Sequence, residues 1–381
     1  MRHLPLFFLL ILAVACQPKD ILRDNAITKG ETIHIPFDAT APAFPIDKIF
    51  KEYEFIALET NDSIFVRDLD YIPQIKTFGD SIYIVNWKEI LIFNKKGCFL
   101  RKFDRHGPGP EEYNAISSFI VHPNGNITII ETWMAKSSIL TYDRNGNLMD
   151  RFNMNELGML WDISWLDESR LLLRTVGERE DIPDLIHLLD WRTREIVKNF
   201  YPIERSRGNI LLQTHFAHYD NKYLFSTYKT MDVYELDEDS CLLRYTIDIG
   251  GKTPPKGFWQ QERMDYLSIL DEYRSHEYIG HLPIFMEGDQ FLLMRYEGGS
   301  EELEGYAWVN KQDGKSGIFQ EFQFEESFKW KPYYIFPQLD ESIIIPIPAY
   351  LLFGKEGNTI TQRYPKLHEE SNPVLFIGKL R

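Results

Sequence analysis

A unit of about 47 residues recurs along this 381-residue chain, and no other feature restricts its fold as strongly. One copy has alternating apolar runs at 81–85 and 89–93, the turn Asn94-Lys95-Lys96-Gly97, and a further run at 98–103. A second has runs at 126–130 and 138–142, the turn Asp143-Arg144-Asn145-Gly146, and a run at 147–152. Period-two alternation rich in β-branched residues specifies strands, and Asn or Asp leading to Gly specifies hairpin turns. Weaker copies centre on turns at Asp190, Asp237 and Asn310, and runs at 342–345 and 350–353 suggest a sixth. Turn starts at 94, 143, 190, 237 and 310 are separated by 49, 47, 47 and 73 residues. The long step holds an insert in which Trp259, Tyr266, Leu270 and Tyr273 recur at helical spacing, which predicts an amphipathic helix within 255–280.

Repeats of four strands at this period specify a β-propeller. A single small sheet cannot bury both faces, so each blade must lean on its neighbours and the ring must close. The expected fold is all-β: a six-bladed β-propeller of four-stranded antiparallel blades over residues 46–381, with one helical insertion. The runs at 53–58 and 373–377 come from opposite ends of the chain and are natural partners in a closing blade. Residues 354–370 read as a loop or an extra strand. The same arrangement bears on the thiols. Cys98 and Cys241 each lie four residues after a turn start, in the first and fourth units. Those blades face each other across the axis, too far apart for a bridge that needs Cα atoms within about 7 Å. Both are expected as unpaired thiols packed as small apolar groups.

The first sixteen residues carry an address. Arg2, the apolar run 4–12 and Ala13-Val14-Ala15-Cys16 have the order of a bacterial lipoprotein signal. The expectation is cleavage after residue 15 and lipidation of Cys16, with 16–45 as a polar, Pro-rich tether in which only Thr32-Ile33-His34-Ile35-Pro36 hints at a strand. That implies a cell-envelope protein held by its lipid, with the outer membrane favoured by Gln17 after the cysteine. A hydrophobic content of 44% and an aromatic content of 14% suit a packed core. The formal charge of −15, with no basic run, lacks the footprint of a nucleic-acid binder.

Two motifs flank the repeats: Gly107-Pro108-Gly109-Pro110-Glu111-Glu112-Tyr113 after the first unit, and Asn372-Pro373-Val374-Leu375 near the end. With Phe55-Ile56-Ala57-Leu58-Glu59-Thr60 and the lipoprotein start, the chain resembles the six-bladed β-propeller lipoproteins common in Bacteroidetes-type bacteria, propellers of the NHL or TolB-like kind. The resemblance covers most of 50–381. It implies a fold, an exported address and an interaction role, and it brings no catalytic residues. Read physically, the Gly-Pro motif is an ordered connection in which glycines reach unusual backbone angles and prolines fix φ. Glu111 and Glu112 are placed to accept from exposed amides or to touch a ligand, and Tyr113 to seal a blade interface.

Motifs of chemistry are missing. The sequence has no Gly-x-Ser-x-Gly elbow, no His-Glu-x-x-His and no paired-cysteine zinc spacing. No metal or other cofactor is expected. The candidate ligand-binding side chains are Trp161 and Trp165, which flank Asp162 at an even spacing that puts them on one strand face, and His215 and His218, together with Glu111 and Glu112. Blade-to-blade packing is the competing role for the tryptophans, and a buried or rim position for the histidines. The function that fits best is a membrane-tethered, non-catalytic scaffold that binds a glycan, a peptide or an outer-membrane partner protein. The alternatives are a propeller enzyme of lactonase, lyase or glycan-hydrolase type, with its site at the channel mouth, and a purely structural role.

Overall fold

The computed structural model describes residues 29–37, 40–66, 74–86, 88–133, 136–175, 184–202, 216–227, 230–260, 265–353 and 358–381. Their strands form six sheets arranged as a six-bladed β-propeller. Blade 1 comprises Ile75–Phe78, Ser81–Asn86, Glu89–Asn94 and Phe99–Phe103. Blade 2 comprises Ser118–Val121, Ile127–Trp133, Lys136–Tyr142 and Leu148–Asn153, and blade 3 Leu160–Trp165, Arg170–Thr175, Asp184–Asp190 and Ile196–Pro202. Blade 4 is built on Ala217–Tyr219, Lys222–Ser226, Asp232–Leu236 and Cys241–Ile249, and blade 5 on Ile279–Glu287, Phe291–Gly298, Gly305–Asn310 and Ser316–Glu325. Blade 6 joins Phe336–Pro337, Ser342–Ile347 and Val374–Leu380 to Phe50–Ala57 from the other end of the chain. That last pairing is antiparallel, with Val374 opposite Ala57 and Phe376 opposite Phe55. It closes the ring as the two terminal runs predict.

The repeat is visible in the turns between third and fourth strands. Each of five opens on an Asn or Asp whose side chain folds back over the following backbone. Asn94 Oδ1 accepts from the Lys96 amide at 2.9 Å, Asp143 Oδ1 from Asn145 at 2.8 Å and Asp190 Oδ1 from Arg192 at 2.8 Å. Asp237 Oδ1 accepts from Asp239 at 3.0 Å, and Asn310 Oδ1 from Gln312 at 2.8 Å. These Asx turns mimic a backbone turn and set the hairpin locally. Two of the turns lack Gly: in blade 3 Arg194 takes the left-handed angle at φ 62°, and the blade 4 turn closes without one.

Apolar layers fill the wedges between blades. Tyr83, Ile92 and Phe103 of blade 1 meet Phe119, Ile129 and Tyr142 of blade 2 in one buried cluster. Ile56, Ile344 and Leu375 of blade 6 meet Ile75, Ile84 and Phe93 of blade 1 in another, so the ring is sealed where its ends join. Between blades 4 and 5 ion pairs join an apolar layer that includes Val233, Tyr245, Leu282 and Phe285. The enclosed Glu287 carboxylate accepts from Arg244 Nε at 2.7 Å and from Lys311 Nζ at 2.6 Å, and Arg244 also pairs with Glu235. Buried charge of this kind persists only when it is paired.

Three expectations are corrected. The stretch 16–45 is not a tether throughout. Glu31–Ile35 adds a parallel strand to the outer edge of blade 4, and Thr40–Pro45 does the same on blade 5. Both cover edges that would otherwise offer unpaired amides and carbonyls. The run 350–353 is not a strand: Ala349–Leu352 is a 3-10 turn entered through Pro348 at φ −55°, an angle that suits the turn's start. In 354–370, read as a loop or an extra strand, the described part holds no strand: a short helix, Thr359–Arg363, capped by the Asn358 side chain, leads into turns and loop over 364–370.

The insert is helical, as its spacing predicts. Phe258–Gln260 forms a 3-10 turn and Tyr266–Ser275 an α-helix, N-capped by Asp265, which accepts from the Leu267 and Ser268 amides. Ile269 and Tyr273 bury against Phe258 and Trp259, with Leu270 packed alongside. Cys98 and Cys241 are both free thiols. Cys241 is half-buried as expected. Cys98 is exposed, because it precedes the outermost strand of its blade rather than pointing into a wedge.

Candidate functional site

A concavity of about 970 Å³ lies where blades 5, 6 and 1 meet. One wall is the link from the closing strand to blade 1, with Asn61, Asp62 and Phe65. The second is the link from blade 5 to blade 6, with Trp330, Tyr333 and Tyr334. The third is the long connection within blade 6, with Tyr350, His368, Glu369 and Glu370. Phe65 is 55% exposed, Tyr333 55% and Tyr350 61%. Three large rings left open to water at one concavity are unusual enough to mark a binding surface.

The walls are fixed from behind. Asn372 is fully buried. Its Oδ1 accepts from the Val66 amide at 2.7 Å, while its Nδ2 donates to the carbonyls of Glu59 at 2.7 Å and Ile64 at 3.0 Å. One side chain thus pins the 59–66 wall to the end of the long connection. The second wall rests on Arg295. Its Nη1 donates to the Tyr333 carbonyl at 3.0 Å, and its guanidinium lies 4.1 Å from the centroid of the Tyr333 ring. The Tyr306 hydroxyl donates to the Pro332 carbonyl just before it. Among the described residues the lining carries three carboxylates, Asp62, Glu369 and Glu370, and no Lys or Arg. Among the described residues no group of three or more His, Cys, Asp or Glu is arranged to hold a metal ion.

The hub is polar and tight. First strands of the blades line a cavity of about 100 Å³, room for a few waters and no substrate. Asp162 Oδ1 accepts from Ser118 Oγ at 2.7 Å and from Gln74 Nε2 at 3.1 Å, so side chains of blades 1, 2 and 3 meet on one oxygen. Lys76 Nζ donates to the carbonyls of Phe119 at 2.7 Å and Ile163 at 3.2 Å and lies 3.7 Å from Asp162. Gln338 adds blade 6 to this set, donating to the Ile75 carbonyl at 3.0 Å and accepting from the Thr77 amide at 2.8 Å. Burial lowers Arg174 to about 10, against the pull of Asp162. It lowers His281 to about 3, helped by the positive charges of Arg295 and Arg174, so His281 is neutral at physiological pH. These groups are spent on one another and on backbone, which makes the hub a lock between blades.

The family model described as "Domain of unknown function (DUF4934)" matches residues 31–379. The chain belongs to the DUF4934 family. No curated protein matches it. Among solved structures, this DUF4934 protein is similar to a "Putative exported protein" of Bacteroides fragilis. The two share 15% identity over 91% of this chain and 99% of that one, with a TM-score of 0.71. It is also similar to a member of the duf4221 family from Bacteroides vulgatus, with 13% identity over 87% of this chain and 97% of that one and a TM-score of 0.50. Identities this low speak for the fold alone.

The residues singled out in the sequence fall elsewhere in the DUF4934 ring. Glu112 Oε2 accepts from the Gly109 amide at 2.8 Å, and a Cβ at Gly107 would sit 2.0 Å from that oxygen. The Glu111 carbonyl accepts from the Tyr142 hydroxyl at 3.1 Å. Tyr113 is fully buried between blades 1 and 2, its ring stacked on Phe103 and its hydroxyl donating to the Lys88 carbonyl at 2.6 Å. The motif is a structural connection, sealed by Tyr113. Trp165 is wedged between blades 2 and 3, 5.1 Å from His122 and 6.1 Å from Trp191 between ring centroids, and it also lines the hub cavity. Trp161 is half-buried at a register shift between Leu160 and Asp162, which breaks the alternation that even spacing assumes. His218 is half-buried against Tyr223, and burial holds its imidazole below the ordinary range. His215 and Cys16 lie outside the described residues. The groove residues escaped sequence reading. The one local signal was the density of aromatics in Phe328-Lys329-Trp330-Lys331-Pro332-Tyr333-Tyr334, whose strand alternation stops at Pro332.

Proposed function

We propose that this DUF4934 protein is an exported, lipid-anchored receptor that binds a glycan, a peptide or a segment of a partner protein in the groove over blades 5, 6 and 1, without chemistry of its own. The observation that carries this is the set of three exposed rings, Phe65, Tyr333 and Tyr350, on walls held rigid by Asn372 and Arg295. Rigid walls lower the ordering cost of binding. An enzyme site would need an acid and a base converging where substrate can reach them. The groove carboxylates Asp62, Glu369 and Glu370 are exposed to water, and the hub groups are tied to each other. Export and anchoring at Cys16 rest on the signal-like start and on the name of the Bacteroides fragilis neighbour. An outer-membrane site is part of this reading.

The anchor is tested by metabolic labelling with a fatty-acid analogue: the wild type should take up label and Cys16→Ala should not. The receptor reading is tested by screening the full chain, extracted in mild detergent, against glycan and peptide libraries. Ligands should raise the melting midpoint of the wild type and lose that effect in Tyr350→Ala and Phe65→Ala. Release of a cleaved product, or binding indifferent to both substitutions, would overturn it.

A further inference from the structure

Tyr333 has an unusual setting. Its ring is 55% exposed to the groove while one face rests on the Arg295 guanidinium at 4.1 Å. Arg295 is itself 3% exposed and is paired with Glu297 at 2.6 Å and Glu304 at 3.6 Å. Tyr334 meets the Tyr333 ring edge-on, 4.8 Å between centroids, and stacks in turn on Phe336. A surface tyrosine normally samples several rotamers and pays an entropy cost when a ligand fixes it. Here a buried cation below and a ring beside it hold one orientation before any ligand arrives. The free face is a flat platform already in place.

The groove's chemistry narrows what that platform meets. Its three carboxylates, with no Lys or Arg among the described lining residues, repel an anionic ligand and provide strong acceptors for hydroxyl donors. Pro346, Pro348 and Pro373 line the same space and offer no N–H, so an extended peptide cannot add to this wall as a strand. A sugar fits both halves of the pattern, because its C–H face is apolar and its rim is a ring of hydroxyl donors. The volume of about 970 Å³ suits several linked sugar units rather than one small solute.

From this we infer that the groove takes an uncharged saccharide chain, with the Tyr333 ring as its stacking platform and Arg295 as the residue that positions that ring. The inference rests on the groove being the binding site, and its test separates the two claims. Binding to the full chain is measured by calorimetry with cellohexaose, xylohexaose, mannohexaose and laminarihexaose. A heparin hexasaccharide, decalysine and a proline-rich decapeptide are run alongside. At least one neutral hexasaccharide should bind and heparin should not. Tyr333→Ala should weaken binding about tenfold with an unchanged melting midpoint, and Tyr333→Trp should keep it. Arg295→Lys should weaken binding in the wild type and have no further effect in the Tyr333→Ala background. A purely structural role would lower both alike. Binding of decalysine or the decapeptide, lost in Tyr333→Ala, with no saccharide bound, overturns the saccharide and leaves the groove. Saccharide binding that ignores Tyr333, Tyr350 and Phe65, or no binding by any probe, overturns both.

Discussion

The side-chain oxygen of Asn372 accepts a hydrogen bond from the backbone amide of Val66, at 2.7 Å and across 306 positions of the chain. The Asn372 side-chain Nδ2 donates to the carbonyls of Glu59 and Ile64, so Asn372 fastens the last blade to the link that opens the first. Replacing it with Ala strands one buried N–H and two carbonyls. Asn372→Ala should cost about 3 kcal/mol or more. The check is a lowered urea midpoint with an unchanged slope.

Two glycines of the same backbone type should respond differently. Gly97 (φ +80°) and Gly125 (φ +84°) both hold the left-handed conformation. A Cβ at Gly125 meets nothing within 4 Å, whereas at Gly97 it lies 2.1 Å from the Ala57 carbonyl of the closing strand. Gly125→Ala should therefore cost about 1 kcal/mol, for backbone conformation alone. Gly97→Ala should cost about 3 kcal/mol, because closing-strand backbone must move. Equal losses in denaturation would mean that the closing strand does not rest on that hairpin.

Thiol reactivity should split between the two repeat cysteines. Cys98 is exposed, while burial, with Asp237 nearby, pushes the Cys241 thiol up to about 12. The thiolate is the reactive form. A maleimide should label Cys98 in the native protein and reach Cys241 only on unfolding. Native labelling should vanish in Cys98→Ser, as read by mass spectrometry.

Stability should fall with pH before the carboxylates titrate. His281 is held neutral in the folded state, with its value lowered to about 3 by burial and by Arg295 and Arg174. The unfolded histidine takes a proton near pH 6.5, so between about 6.5 and 3 the unfolded state binds more protons and stability rises with pH. The contribution is complete above 6.5 and shrinks as pH drops through that window. Melting midpoints of His281→Gln should show a shallower fall from pH 6.5 to 5 than those of the wild type. His122, His187 and His218 shift in the same direction and leave a residual slope.

How far the sequence could be read follows the range of the interactions involved. Asn94, Asp143, Asp190, Asp237 and Asn310 each bond to backbone two residues on, and this is why the turns and the repeat were legible. Tyr113 was legible as a seal because its motif forms one continuous connection. Residues 31–45 were misread because their pairing is parallel, to strands more than 200 positions away, and leaves no hairpin signal. Trp161 and Trp165 were paired by an even spacing that the register shift at Leu160 invalidates.

Alternating apolar runs and Asx turns determined the blades and their number, since a small two-faced sheet has to find a neighbour on each side. Ring closure alone decided the site. Phe65, Tyr333 and Tyr350 belong to three separate connections that become one groove only when the terminal strands meet. The restraints behind them, Asn372 on Val66 and Arg295 on Tyr333, join residues that no local pattern relates. Hydrogen bonds within a turn are specified by adjacent residues, whereas a wall built from distant loops exists only after the whole chain has packed.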